Sequence, residues 1–313
     1  MNRKEQIIRL WRKCFHDTEK FIHLFFEQIY REENALTIEQ QGEVIAALQM
    51  LPYEMMWLGK RIKVSYIYGA CTDERWRNQG WMSRLLQQAF EVMRQRGIAL
   101  TVLIPAEPWL FDYYARQGYL TLFHYAEMKA QCGAIPLGKN DWLIEPVKAE
   151  MLPHLYPSFD RLMASREASI LHSCADFAAL FADTEDNEGE WLVACDRQQQ
   201  PQGFLFLSPS DEGLTASELI AADEAVGQQL LQEAMLRHQQ QSITYYALPT
   251  DDNCHPLGMA RLISPAPLLD HWIKKHPESS LSLPELEALS PDALTRLLFC
   301  SNGVTPYMSL MMN

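Results

Sequence analysis

Arg77-Asn78-Gln79-Gly80-Trp81-Met82 stands between a strand-like run ending near Cys71 and an amphipathic stretch running to Gly97. Upstream, Arg61-Ile62-Lys63-Val64-Ser65-Tyr66-Ile67-Tyr68 alternates polar with apolar residues and is rich in β-branched and aromatic side chains, which predicts a strand. Downstream, Met82, Leu85, Leu86, Ala89 and Met93 share one helical face, and Gly97 supplies a C-terminal cap. Residues 98–104 then read as a buried strand stopped at Pro105. The order is strand, turn, helix, strand. The first turn of a helix leaves four N–H donors without partners, and the helix dipole adds about half a positive charge there, so this turn is suited to an anion. The pattern R-x-x-G alone recurs by chance roughly once in a chain of this length. The flanking elements therefore carry the reading of a pyrophosphate cradle, with coenzyme A as the candidate ligand.

Charge supports a phosphorylated ligand held at one place. The chain has 27 Lys and Arg against 40 Asp and Glu, a net charge of −13. Residues 60–96 nevertheless hold Lys60, Arg61, Lys63, Arg75, Arg77, Arg84, Arg94 and Arg96 against only Asp73, Glu74 and Glu91. A local positive field on an acidic chain fits a bound phosphate. The overall acidity argues against a nucleic-acid partner, which selects for basic charge across a whole face.

At 313 residues, 48% hydrophobic and 21% charged, the chain is long enough for two domains. No apolar run approaches the roughly 20 residues needed to span a bilayer, so no membrane partner is expected. The start reads as an amphipathic helix and not a signal peptide, which makes the cytoplasm the expected compartment. The seven cysteines are scattered and include no C-x-x-C, so neither a disulfide framework nor a metal site is expected. There is no G-x-S-x-G elbow, Walker loop, H-E-x-x-H or calcium loop.

Residues 5–15 and 18–30 read as two amphipathic helices separated near Asp17, a candidate cap. Strands at 44–51 and 61–71 read as antiparallel neighbours. A short helix over 108–117 ends at Gly118 and returns as a strand over 119–129. The first domain is thus expected at 1–130, followed by a linker at 131–140. A shift of 145 positions takes Leu85, Leu86, Ala89 and Phe90 to Leu230, Leu231, Ala234 and Met235, and Ile98 to Ile243. The same shift puts Ala222 where Arg77 stands and Ala225 where Gly80 stands. Residues 141–258 are therefore read as a degenerate repeat without the phosphate chemistry. Residues 259–313 are too short to fold alone and are expected to pack on the rest.

Three stretches resemble the signature segments of the GNAT superfamily of N-acetyltransferases: Tyr68-Gly69-Ala70-Cys71-Thr72, Arg77 through Leu86, and Tyr113-Tyr114-Ala115-Arg116-Gln117-Gly118-Tyr119. Met82 at the last motif position and a degenerate second domain resemble the enhanced-intracellular-survival (Eis) branch. That branch continues into a sterol-carrier-like domain, of which 259–313 would be a reduced remnant. The resemblance implies an α+β fold of GNAT type, with a mixed, mostly antiparallel sheet flanked by helices and a second degenerate GNAT-like domain.

The resemblance also implies roles. Backbone groups of Cys71 and Thr72 would hydrogen-bond the pantetheine arm. Arg77, Asn78, Gln79, Gly80, Trp81, Met82 and Ser83 would hold the pyrophosphate. Tyr114, four residues before Gly118, would lie near the thioester sulfur as the acid, while Tyr113 is read as core. The Eis-like pattern nominates the main-chain carboxylate of Asn313 as the base. Acetyl-CoA would be the co-substrate, with no metal, and a small-molecule or peptide amine the acceptor. An amine with a pKa near 10 must lose a proton to attack a thioester, and the leaving thiolate, with a pKa about 8.5, must gain one. Family members often assemble, so a homo-oligomer is compatible with the resemblance. The competing reading is a catalytically lapsed protein that binds or senses acyl-CoA. Phe15, Phe25, Phe26 and Tyr30 on the first two helices are read either as an acceptor wall or as core.

Overall fold

A computed structural model describes residues 1–133, 142–211 and 213–311. The helices are α1 (Arg3–Cys14), α2 (Glu19–Leu24, continued by a π turn over Phe25–Ile29), α3 (Trp81–Gln95), α4 (Pro108–Ala115), α5 (Leu152–Ala164), α6 (Cys174–Asp186), α7 (Glu224–Arg237), α8 (Ala266–Lys275), α9 (Leu283–Glu287) and α10 (Pro291–Cys300). The strands are β1 (Ala35–Gln40), β2 (Glu43–Trp57), β3 (Lys60–Thr72), β4 (Leu100–Leu103), β5 (Leu120–Gln131), β6 (Leu143–Pro146), β7 (Ile170–Leu171), β8 (Glu190–Cys195), β9 (Pro201–Ser210), β10 (Gly213–Ala221), β11 (Ser242–Ala247) and β12 (His255–Leu262). Two compact units result: Met1–Phe123 with Leu257–Pro306, and His124–Pro256 with Tyr307–Asn313.

In the first unit β1, β2 and β3 form an antiparallel meander. β4 joins β3 in parallel, and residues 259–262 of β12 pair antiparallel with β4. The helix α3, which crosses between β3 and β4, is apolar where it meets the sheet. On α3, Leu85, Leu86, Ala89, Phe90 and Met93 are each at most 1% exposed. Burying such side chains stabilises by about 1.5–3 kcal/mol apiece for the larger ones. Gly97, at φ +68°, turns the chain from α3 toward β4.

Several expectations change. Thr18, not Asp17, caps α2, its hydroxyl accepting from Phe21 N–H at 3.2 Å. Asp17 instead accepts from Trp11 Nε1 at 2.6 Å. β1 carries no clear sequence signal, because Ala35-Leu36-Thr37-Ile38 is too short to show alternation. β2 runs on to Trp57, six residues past the expected end, through Pro52 and two methionines. The segment after 258 divides between the units: residues 259–306 go with the first, where Arg261 and Trp57 tie it down, and Tyr307–Asn313 with the second. Trp57 Nε1 donates to Leu298 O at 2.8 Å.

The second unit has a sheet in the order β5-β11-β10-β9-β8-β6, in which only β10 and β11 are parallel. α7 links that parallel pair as α3 links β3 and β4, and buries Val226, Leu230, Leu231, Ala234 and Met235. Residues 134–140, most of the expected linker, lie outside the described residues. Among the described residues no helix is long and apolar enough to cross a membrane.

Candidate active site

The turn that opens α3 is built by two left-handed residues. Asn78 has φ +61° and Gly80 φ +78°, a region glycine adopts freely and asparagine tolerates. Gly80 is the N-cap and, lacking a side chain, makes no capping hydrogen bond. The first backbone donor retained there is Arg84 N–H, which reaches Gly80 O at 3.1 Å. Among the described residues no acceptor takes the N–H groups of residues 78–83. A Cβ on Gly80 would have nothing within 4 Å. The cradle is thus open and its donors unspent. The corresponding start of α7 differs: the Asp223 carboxylate accepts from Val226 N–H at 3.0 Å, so a fixed negative charge already occupies that helix end.

The strand before the turn is open as well. β3 pairs with β4 only through Val64, Ser65 and Tyr66, so along its last six residues β2 is its only strand neighbour. Between Tyr68 and Cys71, β3 carries one residue more than β2, a bulge in which Gly69 sits at φ +57° against the Trp11 ring. A cavity of about 270 Å³ lies at this splay. Its walls are β3 residues Ala70, Cys71 and Thr72, the turn and first residues of α3, and Trp109, Leu110, Tyr113 and Tyr114 of α4.

The structure therefore brings together Cys71, Thr72, Arg77, Asn78, Gly80, Trp81, Met82, Ser83 and Tyr114 in one cavity. Gln79 does not line it; its side chain bonds Arg75 O and Trp81 Nε1. Arg77 Nε donates to Thr72 O at 3.2 Å, holding the guanidinium beside the strand end. Asn313 lies outside the described residues. Tyr113, read from sequence as core, is a cavity wall: its hydroxyl is 3.2 Å from Ser83 Oγ, which also accepts from Gln117 Nε2 at 3.2 Å. Adjacent helical residues point about 100° apart, and here both directions meet cavity.

Tyr114 is 8% exposed and packs on the Tyr113 and Tyr119 rings, at 5.2 and 5.7 Å. Burial pushes its phenol well above the ordinary tyrosine value, so the proton stays on oxygen at neutral pH. Among the described residues the wall contains no aspartate, glutamate or histidine. Phe25, Phe26 and Tyr30 are buried with Trp11 in an aromatic cluster, which makes them core.

Sequence reasoning missed Arg261. This β12 residue lies over the Phe90 ring at 4.3 Å and donates to Gln117 O, pressing on the Gly118 turn that ends the Tyr114 segment. A Cβ on Gly118, at φ +82°, would fall 2.4 Å from Arg261 Nη1. Nothing local at 261 signals this, because the contact spans more than 140 residues of chain.

Residues 2–121 match the model of the GNAT acetyltransferase domain. Solved structures extend the likeness to both units. A GCN5-related N-acetyltransferase from Anabaena variabilis superposes with a TM-score of 0.71 at 17% identity, over 85% of this chain and 71% of that one. A protein from Enterococcus faecalis described as a probable N-acyltransferase gives 0.69 at 12%, over 83% and 70%. Eis1 from Mycobacterium abscessus gives 0.67 at 13%, over 85% and 72%. At 12–17% identity these superpositions show a shared fold and nothing further. Among curated proteins none matches the chain in sequence at a significant level.

Proposed function

We propose that this chain, whose residues 2–121 match the model of the GNAT acetyltransferase domain, transfers the acetyl group of acetyl-CoA to a primary amine by direct attack within a ternary complex. The observation that carries the reading is the set of unengaged N–H groups at 78–83 opening on the same cavity as Tyr114. These amides, the α3 dipole and Arg77 suit the diphosphate of the coenzyme. The unpaired edge of β3 at Cys71 and Thr72 suits the amides of the pantetheine arm.

Tyr114 is assigned the proton at the sulfur. A phenol whose proton is held so firmly acts first as a hydrogen-bond donor to the departing thiolate. Its complete transfer is coupled to the proton that the attacking amine gives up. Because the phenol is neutral, the desolvated wall need not accommodate a charge before reaction. The acceptor is a small-molecule or peptide amine.

The test is thiol release from acetyl-CoA with a panel of primary amines, comparing the wild type with Tyr114→Phe. Loss of a positioned acid costs about 10²–10⁴-fold in rate, with coenzyme affinity unchanged because the ring is kept. Equal kcat in the two proteins would remove Tyr114 from the chemistry.

A wall without carboxylate or imidazole favours a second reading, an acyl-CoA-binding protein whose catalysis has lapsed. It predicts coenzyme binding by calorimetry with no turnover on any amine, and one active acceptor excludes it.

A further inference from the structure

We propose that Cys71 in the cavity wall and Cys14 behind it form a peroxide-reactive dithiol, and that their oxidation to a disulfide closes the cradle to its ligand. The second half of the proposal rests on the coenzyme reading above; the first does not.

Cys14 is the last residue of α1 and Cys71 lies on the β3 segment just beyond the bulge. Trp11, one helical turn before Cys14, presses on Gly69, two residues before Cys71, closely enough that a Cβ at 69 would sit 2.2 Å from its ring. The helix end and the strand end are thereby held together. Cys14 Sγ donates to Thr72 O at 3.6 Å, which sets the Cys14 thiol against the strand residue next to Cys71. Cys14 is partly exposed, whereas Cys71 is buried against α1 and borders the cavity.

The pair is chemically unequal. The hydrogen bond from Cys71 pulls the Cys14 thiol down to about 7 against the opposing effect of burial, and Arg77 adds a smaller push the same way. Cys71 keeps its proton, held well above its usual value by that same bond and by burial. A thiolate with a buried thiol beside it is the arrangement of a sensing and a resolving cysteine. The oxidant is a hydroperoxide. The Cys14 thiolate attacks one peroxide oxygen, the O–O bond breaks, and Cys14 becomes a sulfenic acid with hydroxide leaving. The Cys71 sulfur then attacks Cys14 Sγ, forming the S–S bond, and the sulfenic oxygen leaves as water with the Cys71 proton. Two thiols lose two electrons, and the peroxide oxygens end as two waters.

The consequence for the cradle runs through Thr72 and Arg77. Thr72 O accepts from both Cys14 Sγ and Arg77 Nε, so one carbonyl fixes the thiol and the guanidinium. Drawing the sulfurs to the bonded distance of about 2.05 Å pulls the end of α1 onto β3. It also draws Cys14 Sγ away from Thr72 O and from the neighbouring Arg77. The backbone at residues 71–72 and the arginine beside the turn are the groups that shift.

The experiment treats wild-type protein and Cys14→Ser with stoichiometric hydrogen peroxide at pH 7.5. Non-reduced peptide mapping and coenzyme A calorimetry follow, before and after dithiothreitol. The expected result is a peptide linked through Cys14 and Cys71, at least tenfold weaker coenzyme A binding in the oxidised wild type, recovery on reduction, and no change of affinity in Cys14→Ser. Oxidation confined to the exposed Cys132, Cys174 and Cys254 would overturn the dithiol. A 14–71 linkage with unaltered affinity would overturn the closing. If reduced wild type fails to bind coenzyme A, the functional reading and the closing fall together, and the mapping still decides the dithiol.

Discussion

Gly80→Asp separates the cradle from every other source of coenzyme affinity. Gly80 caps α3 at φ +78° with nothing within 4 Å of the position a Cβ would take. An added side chain therefore meets no neighbour, and its cost to folding is the left-handed backbone alone, about 1–2 kcal/mol for alanine and less for aspartate. The carboxylate would stand where the unengaged amides of 78–83 converge, as Asp223 does at the start of α7. A unit charge about 4 Å from a phosphate oxygen costs about 4 kcal/mol at an effective dielectric of 20. Gly80 is exposed, so solvent and salt reduce this to about 2–3 kcal/mol, or about 30–150-fold in affinity. The assay is calorimetric titration with coenzyme A of wild type, Gly80→Ala and Gly80→Asp, at low and high salt. Gly80→Ala should bind within a few-fold of wild type, Gly80→Asp should be weakened as calculated, and the gap should narrow with salt. Binding by Gly80→Asp within threefold of wild type at low salt would refute the assignment of the diphosphate to this turn.

Gly69→Ala should destabilise the protein by about 2–5 kcal/mol in urea, since it adds a left-handed backbone penalty to a clash with the buried Trp11 ring at 2.2 Å; a loss below 1 kcal/mol would count against the bulge geometry. Glu218 is 4% exposed, receives the Tyr307 hydroxyl, and is pushed above its usual value by burial. An unfolded glutamate titrates near 4.3, so the folded state holds the proton more tightly, and stability should fall as pH rises from about 4 through the folded-state value. Glu218→Gln should flatten that slope in urea midpoints taken between pH 4 and 8, and an unchanged slope would assign it to other groups.

The helix α3, the turn before it and the strand β3 were legible because their signals are local. Apolar spacing near 3.6 residues, alternation with period two, and glycines at 80 and 97 each act within a few residues. Tyr114 is implied by the resemblance to the GNAT signature, through its place four residues before Gly118, and it lies on the cavity wall. Helical divergence alone assigns Tyr113 to the core, since a sequence shows that two neighbours diverge but not that the cavity spans both directions.

Sequence by itself thus determined the order strand, turn, helix, strand, and the bare helix end where an anion can bind. Tertiary structure alone decided that β3 parts from β4 after Tyr66, that β12 arrives from the far end of the chain to pair with β4, and that Cys14 reaches the end of β3 at Thr72. The physical reason is the range of the forces. Backbone periodicity and capping are set by neighbours along the chain, whereas strand pairing and side-chain contact follow from burying apolar faces that different segments share. No residue near Arg261 or Cys14 carries a mark of the partner it will meet.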